Sequence, residues 1–292
     1  MALIILAGLG MLVVLVTRFV LCVGIEEFAD VLHLSSKAKG QILGYSTSVP
    51  ELAGTVSTAA IGLLGAGLWN IAASNIINLG LFLAANLFYR QYRELPRVKF
   101  LDEIGFALGA IAIPMFLVFS GKATTSVWTA VGLISVFVAY VLADRKMNVN
   151  QLEKPANDEK SDARASGPDQ PDAKDEPLST MPRDLRIARA LGMILAGVAG
   201  IVVLGRFLGS SAEDVVTKMG ISQAAVGWIL GVATSLPEMT SFFAIYASSK
   251  RKGTLALELD TQEALDNLTA SNMSNLGIVY PLGILVFLLA GY

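Results

Sequence analysis

Long apolar stretches dominate this sequence of 292 residues and limit the folds that it can adopt. Hydrophobic residues make up 54% of the chain and charged residues only 16%, whereas soluble domains carry about 25% charged residues. A bilayer crossing needs about 20 mainly apolar residues, and only helices or closed barrels satisfy their backbone polar groups in lipid. The sequence therefore predicts an all-α, polytopic bundle of transmembrane helices. The eight predicted spans are Ala2–Val23, Ile42–Leu64, Asn70–Phe88, Ile104–Ser120, Ser126–Leu142, Ile187–Leu208, Ala224–Ala247 and Leu268–Ala290.

A polar segment, residues 147–183, separates two apolar blocks. It is rich in Asp, Glu, Lys, Pro, Ala and Ser and buries too little apolar surface to offset the entropy of ordering, so we predict a flexible linker. The first block, residues 1–146, contains five spans, and the second, residues 184–292, contains three. The strongly basic loops all border one side, which predicts a cytoplasmic linker and an outside N-terminus in a multi-pass protein of the cell membrane. Nothing in the composition indicates a nucleic-acid partner.

A sequence pattern occurs once in each block. GQILGYSTSVPEL (residues 40–52) and GWILGVATSLPEM (residues 227–239) are identical at eight of thirteen positions, with an offset of 187. NIAASNIINLG (residues 70–80) and NLTASNMSNLG (residues 267–277) follow with an offset of 197. Because five spans, an odd number, precede the linker, the second copy must enter the membrane with the opposite polarity. The sequence thus predicts two inverted-topology repeats, whose meeting point near the midplane is the usual place for a substrate site.

Each repeat places a carboxylate, Glu51 or Glu238, inside an apolar span. A charge at the bilayer centre costs about 3 kcal/mol on insertion scales and by default marks an ion path or proton relay. The alternatives are a position at the headgroup boundary or pairing with a basic residue. Both are disfavoured, because each Glu is followed by about a dozen mostly apolar or small residues and neither segment contains Lys or Arg. Pro50 and Pro237 should interrupt the helices beside the carboxylates.

Hydroxyl and amide side chains accompany the two carboxylates in both repeats. Six to eight oxygen ligands with carboxylates among them suit calcium, whereas soft metals prefer sulfur or imidazole. Two negative charges can be balanced by one divalent ion or by two monovalent ions, which is a simple physical basis for exchange. For Asn75 and Asn272 helix packing and cation binding are both open, because amides also join transmembrane helices.

The paired motifs resemble those of the cation/calcium exchanger superfamily, most of all its prokaryotic sodium/calcium exchanger-type members. The family pattern G-x-x-x-S-x-P-E, followed by G-S-N-x-x-N or a close variant, is matched by residues 44–51 with 73–78 and by residues 231–238 with 270–275. The resemblance implies antiport of calcium against sodium or protons by alternating access, with the first and sixth helices sliding across the rest. It implies that calcium and monovalent cations are substrates and that no cofactor is needed. The implied cation ligands are Glu51, Glu238, Thr47, Ser48, Ser74, Asn78, Thr234, Ser235, Ser271 and Asn275.

The sequence departs from the family pattern in three respects. Many members carry an Asp in one repeat where this chain has Asn78 and Asn275, so the site has two carboxylates instead of three, which leaves room for proton coupling. Ala73 and Ala270 replace the usual Gly. The family typically has ten spans, and the second block lacks counterparts of spans four and five. We expect truncation, a partner chain that supplies the missing helices, or a degenerate member.

Three other functions are compatible with parts of the sequence. Oxygen ligation also suits another divalent ion such as magnesium or manganese. The short second block is compatible with a non-transporting membrane sensor or assembly subunit. A channel is less favoured, because broken helices with buried carboxylates favour an occluded site. We do not expect an enzyme, because the sequence shows no nucleophile–base pair and no nucleotide-binding loop.

Overall fold

The computed structural model describes residues 1–92, 95, 100–120, 125–147, 182–251 and 257–292, and these are helical apart from short connections. Most of the predicted linker, residues 148–181, lies outside the described residues. The helices are α1 (Ala2–Val16), α2 (Cys22–Val31), α3 (Ser36–Thr47), α4 (Val49–Ala59), α5 (Leu64–Phe88), α6 (Leu101–Ser120), α7 (Val127–Met147), α8 (Arg183–Met219), α9 (Gln223–Thr234), α10 (Leu236–Arg251), α11 (Leu257–Ser274) and α12 (Tyr280–Leu289). Two π-helical turns, Thr17–Leu21 and Asn275–Val279, join α1 to α2 and α11 to α12.

Seven helical segments of the described chain are long and apolar enough to cross a membrane. They are Ala2–Val31, Leu64–Phe88, Leu101–Ser120, Val127–Met147, Arg183–Met219, Gln223–Ala247 and Asp260–Leu289. Each corresponds to one of the eight predicted spans. The remaining predicted span, Ile42–Leu64, falls on α3 and α4, the repeat counterparts of α9 and α10. Large apolar side chains such as Phe116, Phe119 and Leu195 face outward, as lipid-facing residues do.

The helices extend beyond most of the predicted spans. Helix α8 continues to Met219, so it extends eleven residues beyond the end of the predicted span Ile187–Leu208. Likewise, α11 begins at Leu257, well before the predicted Leu268. These helix ends are polar. A span predicted from hydropathy ends where charged residues begin, whereas the hydrogen-bonded helix continues through them.

The two blocks pack as inverted copies around α5 and α11. We call the end of the bundle at which α7 stops and α8 begins the linker end. Helix α3 starts at the linker end and packs along α11, while α9 starts at the opposite end and packs along α5. At that opposite end the Gln223 side-chain oxygen accepts a hydrogen bond from the Ala66 N–H, 3.2 Å away. The predicted all-α fold with two inverted repeats is confirmed.

Two repeat-related glycines allow the closest of these helix contacts. A Cβ atom at Gly44 would clash with the carbonyl oxygen of Asn267 and lie 2.9 Å from the Ala270 Cβ on α11. A Cβ atom at Gly231 would lie 2.7 Å from the Ala73 Cβ on α5. The same close contact therefore occurs in both repeats, between α3 and α11 and between α9 and α5, and only glycine leaves room for it.

Substitution of Gly44 should loosen this packing. The Gly44→Ala variant places a methyl group against backbone and should lower the free energy of unfolding by about 1–3 kcal/mol, as overpacking does. Gly80→Ala is the matched control, because a Cβ at Gly80 meets nothing within 4 Å. Thermal unfolding in detergent should show a lower midpoint for Gly44→Ala alone. Equal midpoints would contradict the close approach of α3 and α11.

A buried charge cluster, which the sequence did not predict, ties the repeats together at the linker end. The Lys37 Nζ atom lies 3.0 Å from Glu103 Oε1, 3.0 Å from Asp144 Oδ1 and 2.9 Å from Asp266 Oδ1. All four side chains are almost completely shielded from solvent. Gln262 donates further hydrogen bonds to Glu103 and Asp266. One ammonium group thus joins α3, α6, α7 and α11.

Removal of Lys37 should destabilise the bundle, because three carboxylates would stay buried without their cation. Removing one partner of a buried ion pair costs about 3–5 kcal/mol, and we expect Lys37→Met to lose at least that much. The control is Lys218→Met, which breaks an exposed pair with Asp214 worth about 0–1 kcal/mol. Thermal unfolding of the two variants in detergent measures the difference, and similar midpoints would show that Lys37 does not hold the cluster together.

Candidate cation site

Both repeats contain a helix break at the same position of the pattern. Ser48 separates α3 from α4 with φ −80° and ψ −3°, and Ser235 separates α9 from α10 with φ −80° and ψ −1°. Pro50 falls in the first turn of α4, where a proline without an N–H is tolerated. The predicted interruption is therefore a true break, and each carboxylate lies in the first turn of a new helix.

The position at a helix start lowers the cost of burying the two carboxylates. Unsatisfied N–H groups give a helix N-terminus a partial positive charge, which stabilises a nearby anion by about 0.3–1 kcal/mol and by up to about 2 kcal/mol in partly buried geometry. Two such starts, those of α4 and α10, point their positive ends into the centre of the bundle from opposite directions. The breaks thus partly compensate two charges that lipid alone would exclude.

Glu51 and Glu238 are completely buried, each with 0% of its surface exposed. They lie close enough to repel one another. None of the ion pairs within the described residues involves either carboxylate. The Glu238 Oε1 atom accepts a hydrogen bond from the Ser271 hydroxyl at 3.0 Å, whereas both oxygens of Glu51 and the second oxygen of Glu238 have no hydrogen-bond partner in the described chain.

The predicted hydroxyls lie around these carboxylates and cross between the repeats. Thr234 of the second repeat faces Glu51, and Thr47 of the first faces Glu238. The Ser48 hydroxyl lies 3.1 Å from the Ser271 hydroxyl. Each broken helix therefore places a hydroxyl group beside the carboxylate of the other.

The asparagines form a reciprocal network where α5 crosses α11. The Asn75 amide donates to the carbonyl of Asn272 at 3.3 Å, and the Asn272 amide donates to the carbonyl of Asn75 at 3.2 Å. The Asn78 amide reaches Ser271 at 3.5 Å, while Asn275 reaches Ser74 at 3.4 Å. Asn75 also donates to the Ala110 carbonyl at 2.8 Å. In this structure Asn75 and Asn272 join helices.

All ten predicted site residues are buried, and they come together at this crossing. Oxygens without a hydrogen-bond partner recur among them, which is uncommon for buried polar groups and needs an explanation. These oxygens are Glu51 Oε1 and Oε2, Glu238 Oε2, Asn78 Oδ1, Asn275 Oδ1 and Ser235 Oγ. Across the described residues, no group of three or more His, Cys, Asp or Glu side chains could hold a metal ion. A ligand here would meet two carboxylates among neutral oxygens, a donor set that suits a hard cation.

Sequence reasoning missed one pair of residues, Asn70 and Asn267. They are repeat counterparts, and both are fully buried. The Asn70 amide donates to the backbone carbonyl of Glu51 at 3.4 Å, and its oxygen accepts from the Thr234 hydroxyl at 3.2 Å. Asn267 makes no hydrogen bond with either amide atom in the described chain. Asparagine occurs at this position in both repeats, and that repetition is the sequence signal that could have identified the pair.

Sequence comparison decides the family. Residues 2–144 and 189–290 match the family described as "Sodium/calcium exchanger protein". The chain belongs to the sodium/calcium exchanger family. The match covers both repeats and leaves out the whole predicted linker, so it confirms the resemblance that the two motifs predicted.

Solved structures support the same fold. The sodium-calcium exchanger NCX_Mj, soaked with 10 mM Na⁺ and zero Ca²⁺, is 20% identical with a TM-score of 0.52, over 98% of this chain and 84% of that one. The H⁺/Ca²⁺ exchanger CAX is 15% identical with a TM-score of 0.64, over 99% of this chain and 68% of that one. At these identities the likeness shows a shared fold. A comparison with curated protein sequences finds no match.

Ligand-induced stabilisation should reveal the role of the carboxylates. In the wild-type protein millimolar Ca²⁺ should raise the unfolding temperature, because a ligand that binds only the folded state stabilises it. In Glu51→Gln and Glu238→Gln that rise should disappear, while stability in cation-free buffer stays equal or increases, because the mutual repulsion is removed. Glu213→Gln, an exposed acid outside the site, should keep the rise. A calcium shift that persists in both site variants would exclude this site.

Proposed function

We propose that the chain is an antiporter that exchanges calcium for monovalent cations by alternating access through Glu51 and Glu238. The observation that carries the proposal is the pair of fully buried carboxylates that no cationic side chain bonds within the described residues. A cargo cation is the natural counter-charge for such a pair. Family membership supports the proposal, as do the names of the two similar structures, which describe exchange of calcium with sodium or with protons.

The number of carboxylates predicts the stoichiometry. Two negative charges are neutralised by one calcium ion, or by two sodium ions or two protons. Asn78 and Asn275 contribute no third charge, and no third acid completes the site in the described chain. We therefore expect two monovalent ions to move for each calcium ion, so that exchange carries no net charge.

The packing of α1 and α8 suits a sliding movement. These helices pack on each other and also on the broken helices, α1 on α9 and α8 on α4. Glycines lie at these contacts: a Cβ atom at Gly197 would lie 2.9 Å from the Leu21 Cβ, one at Gly209 2.9 Å from the Ser57 carbonyl oxygen, and one at Gly10 3.1 Å from the Ala233 Cβ. At these positions the backbones approach closely, while buried side chains such as Leu6, Ile201 and Leu208 fill the space between them. We place the conformational change between α1–α8 and the rest of the bundle.

The orientation follows from the distribution of basic residues. Arg183, Arg186 and Arg189 lie at the start of α8 and Lys250 near the end of α10, all at the linker end. By the positive-inside rule the linker end faces the cytoplasm and the N-terminus faces outside. The membrane that fits this arrangement best is the cell membrane.

Calcium-45 uptake into proteoliposomes tests the proposal. A sodium gradient or a pH gradient should drive accumulation in the wild type and in Glu213→Gln, but not in Glu51→Gln or Glu238→Gln. Whichever gradient works identifies the counter-ion. Uptake without a gradient would indicate a channel, no uptake would indicate a sensor or assembly subunit, and stronger inhibition by Mg²⁺ or Mn²⁺ than by unlabelled Ca²⁺ would indicate another cargo.

The same vesicles test the stoichiometry. A membrane potential clamped with potassium and valinomycin should leave the initial rate of gradient-driven uptake unchanged, because a two-for-one exchange moves no net charge. The Asn275→Asp variant adds a third carboxylate and should make the rate depend on the potential if it still exchanges calcium. A potential-dependent rate in the wild type would show that a third monovalent ion moves.

A further inference from the structure

A cavity of about 390 Å³ lies at the linker end, between α2, α3, α10 and α11. Because liquid water occupies about 30 Å³ per molecule, the cavity has room for roughly a dozen waters and so for a hydrated cation. The rim is solvent-accessible, since the Glu26 and Asp30 side chains are half exposed. The polar residues that line the cavity are Arg18, Glu26, Asp30, Lys39, Ser241 and Glu263.

The charges around the cavity leave one carboxylate without a partner. Arg18 pairs with Glu26 at 3.4 Å, and Lys39 pairs with Asp30. Lys39 is also within electrostatic reach of Glu263, but its ammonium group is bonded to Asp30. Glu263 makes no ion pair with any residue that the structure describes. The lining therefore carries one net negative charge, and Glu263 supplies it.

Ser241 points to a ligand independently of the charge. It is only 2% exposed, it lines the cavity, and its hydroxyl has no hydrogen-bond partner in the described chain. On α10 it follows Glu238 by three residues, which is about 4.5 Å along a helix axis. A buried hydroxyl without a partner costs about 1–3 kcal/mol, and a cation or its water in the cavity would satisfy it.

The cavity connects to the central carboxylates along one face of α11. Glu263, Asn267 and Ser271 are spaced by four residues, so they lie on the same side of the helix. Glu263 lines the cavity, both amide atoms of Asn267 have no hydrogen-bond partner in the described chain, and Ser271 donates to Glu238 at 3.0 Å. These three side chains form a polar stripe that runs from the cavity to Glu238.

The first repeat has no such stripe on the opposite side. At the offsets of the repeat, the counterparts of Glu263 and Ser241 are Ala66 and Gly54. The counterpart of Asn267 is Asn70, which is bonded to Glu51 and Thr234. The repeats are thus alike at the central site and differ along the approach to it.

We infer that Glu263 and Ser241 form a second, weaker divalent-cation site in the linker-end cavity. Its role as the place where calcium waits before it reaches Glu238 rests on the proposed function; its ability to bind a divalent ion does not. Asn267 lies between the cavity and the central carboxylates, where its side-chain amide would contact the ion as it passes. With one carboxylate among its ligands the site should bind with a dissociation constant on the order of 10⁻³ M, as weakly charged calcium sites do.

Manganese binding tests the site without any transport. Mn²⁺ prefers oxygen ligands, as calcium does, and its electron paramagnetic resonance signal reports the free ion. The full-length Glu51→Gln/Glu238→Gln protein in detergent, which lacks the central carboxylates, should bind one Mn²⁺ weakly. Adding Glu263→Gln should abolish that binding, adding Ser241→Ala should weaken it several-fold, and adding Glu213→Gln should leave it unchanged. No weak Mn²⁺ binding, or binding that Glu263→Gln does not alter, would overturn the inference.

Transport kinetics test the role of the site in exchange. In a chain with intact Glu51 and Glu238, Glu263→Gln should raise the KM for calcium presented at the linker end about three- to ten-fold, in keeping with the loss of a charge that concentrates the ion. The maximal rate and the KM at the opposite end should stay the same, and Glu263→Asp should restore the lower KM. An equal change of KM at both ends would overturn the assigned role. If no variant transports calcium, the proposed function fails while the manganese result still decides whether the site exists.

Discussion

Two carboxylates, Glu51 and Glu238, lie at the centre of the bundle at 0% exposure, close to one another and without a bonded cationic side chain among the described residues. Buried charges of the same sign are costly unless something compensates them. The fold supplies partial compensation, because each carboxylate sits at the positive start of a helix, and Glu238 also accepts a hydrogen bond from Ser271. This partial compensation has a physical consequence. A Lys at the site would neutralise the carboxylates permanently, whereas helix starts and hydroxyls lower the cost of the charges and leave them available to a mobile ion.

The helix breaks explain how an inverted repeat can build this site from two copies of one motif. A helix start can point into the membrane centre only if the helix is interrupted there, and one interrupted helix offers one carboxylate from one side. The inverted second copy offers the other from the opposite side. The crossing of α5 and α11 then sets the distance between them. At the crossing the side-chain amides of Asn75 and Asn272 donate hydrogen bonds to each other's backbone carbonyls, which lipid could not provide. Gly44 and Gly231 let the broken helices pack closely against that crossing.

The sequence predicted this centre better than the bundle's ends, for a physical reason. A carboxylate beside proline in an apolar span has few structural explanations, and its repetition at a constant offset argues against chance. The repeated pattern and the family resemblance together led to ten candidate residues, all of which the structure buries. The charge cluster of Lys37, Glu103, Asp144 and Asp266 had no such signature. Its members lie on four different helices, Lys37, Glu103 and Asp144 near helix ends and Asp266 within α11, and an isolated charge in a sequence predicts exposure. They are buried together because Lys37 bonds to all three carboxylates, across as many as 229 residues of sequence, and no local pattern records that.

A site made from two repeats that carry the same candidate residues at corresponding positions cannot by itself distinguish the two sides of a membrane. Its ligands are related by the same inversion that exchanges the sides. Any preference for loading an ion from one side must therefore come from residues at which the repeats differ, and the approaches to the site are where they do. Glu263 and Ser241 line a cavity of about 390 Å³ on one side, whereas Ala66 and Gly54 occupy the equivalent positions on the other. The Asn70 side chain is hydrogen-bonded across the repeats, while that of Asn267 has no hydrogen-bond partner among the described residues. On the proposed function, the symmetry of the centre and the asymmetry of the approaches thus serve separate purposes: the centre would set which ion is held, and the approaches would set the side from which it arrives.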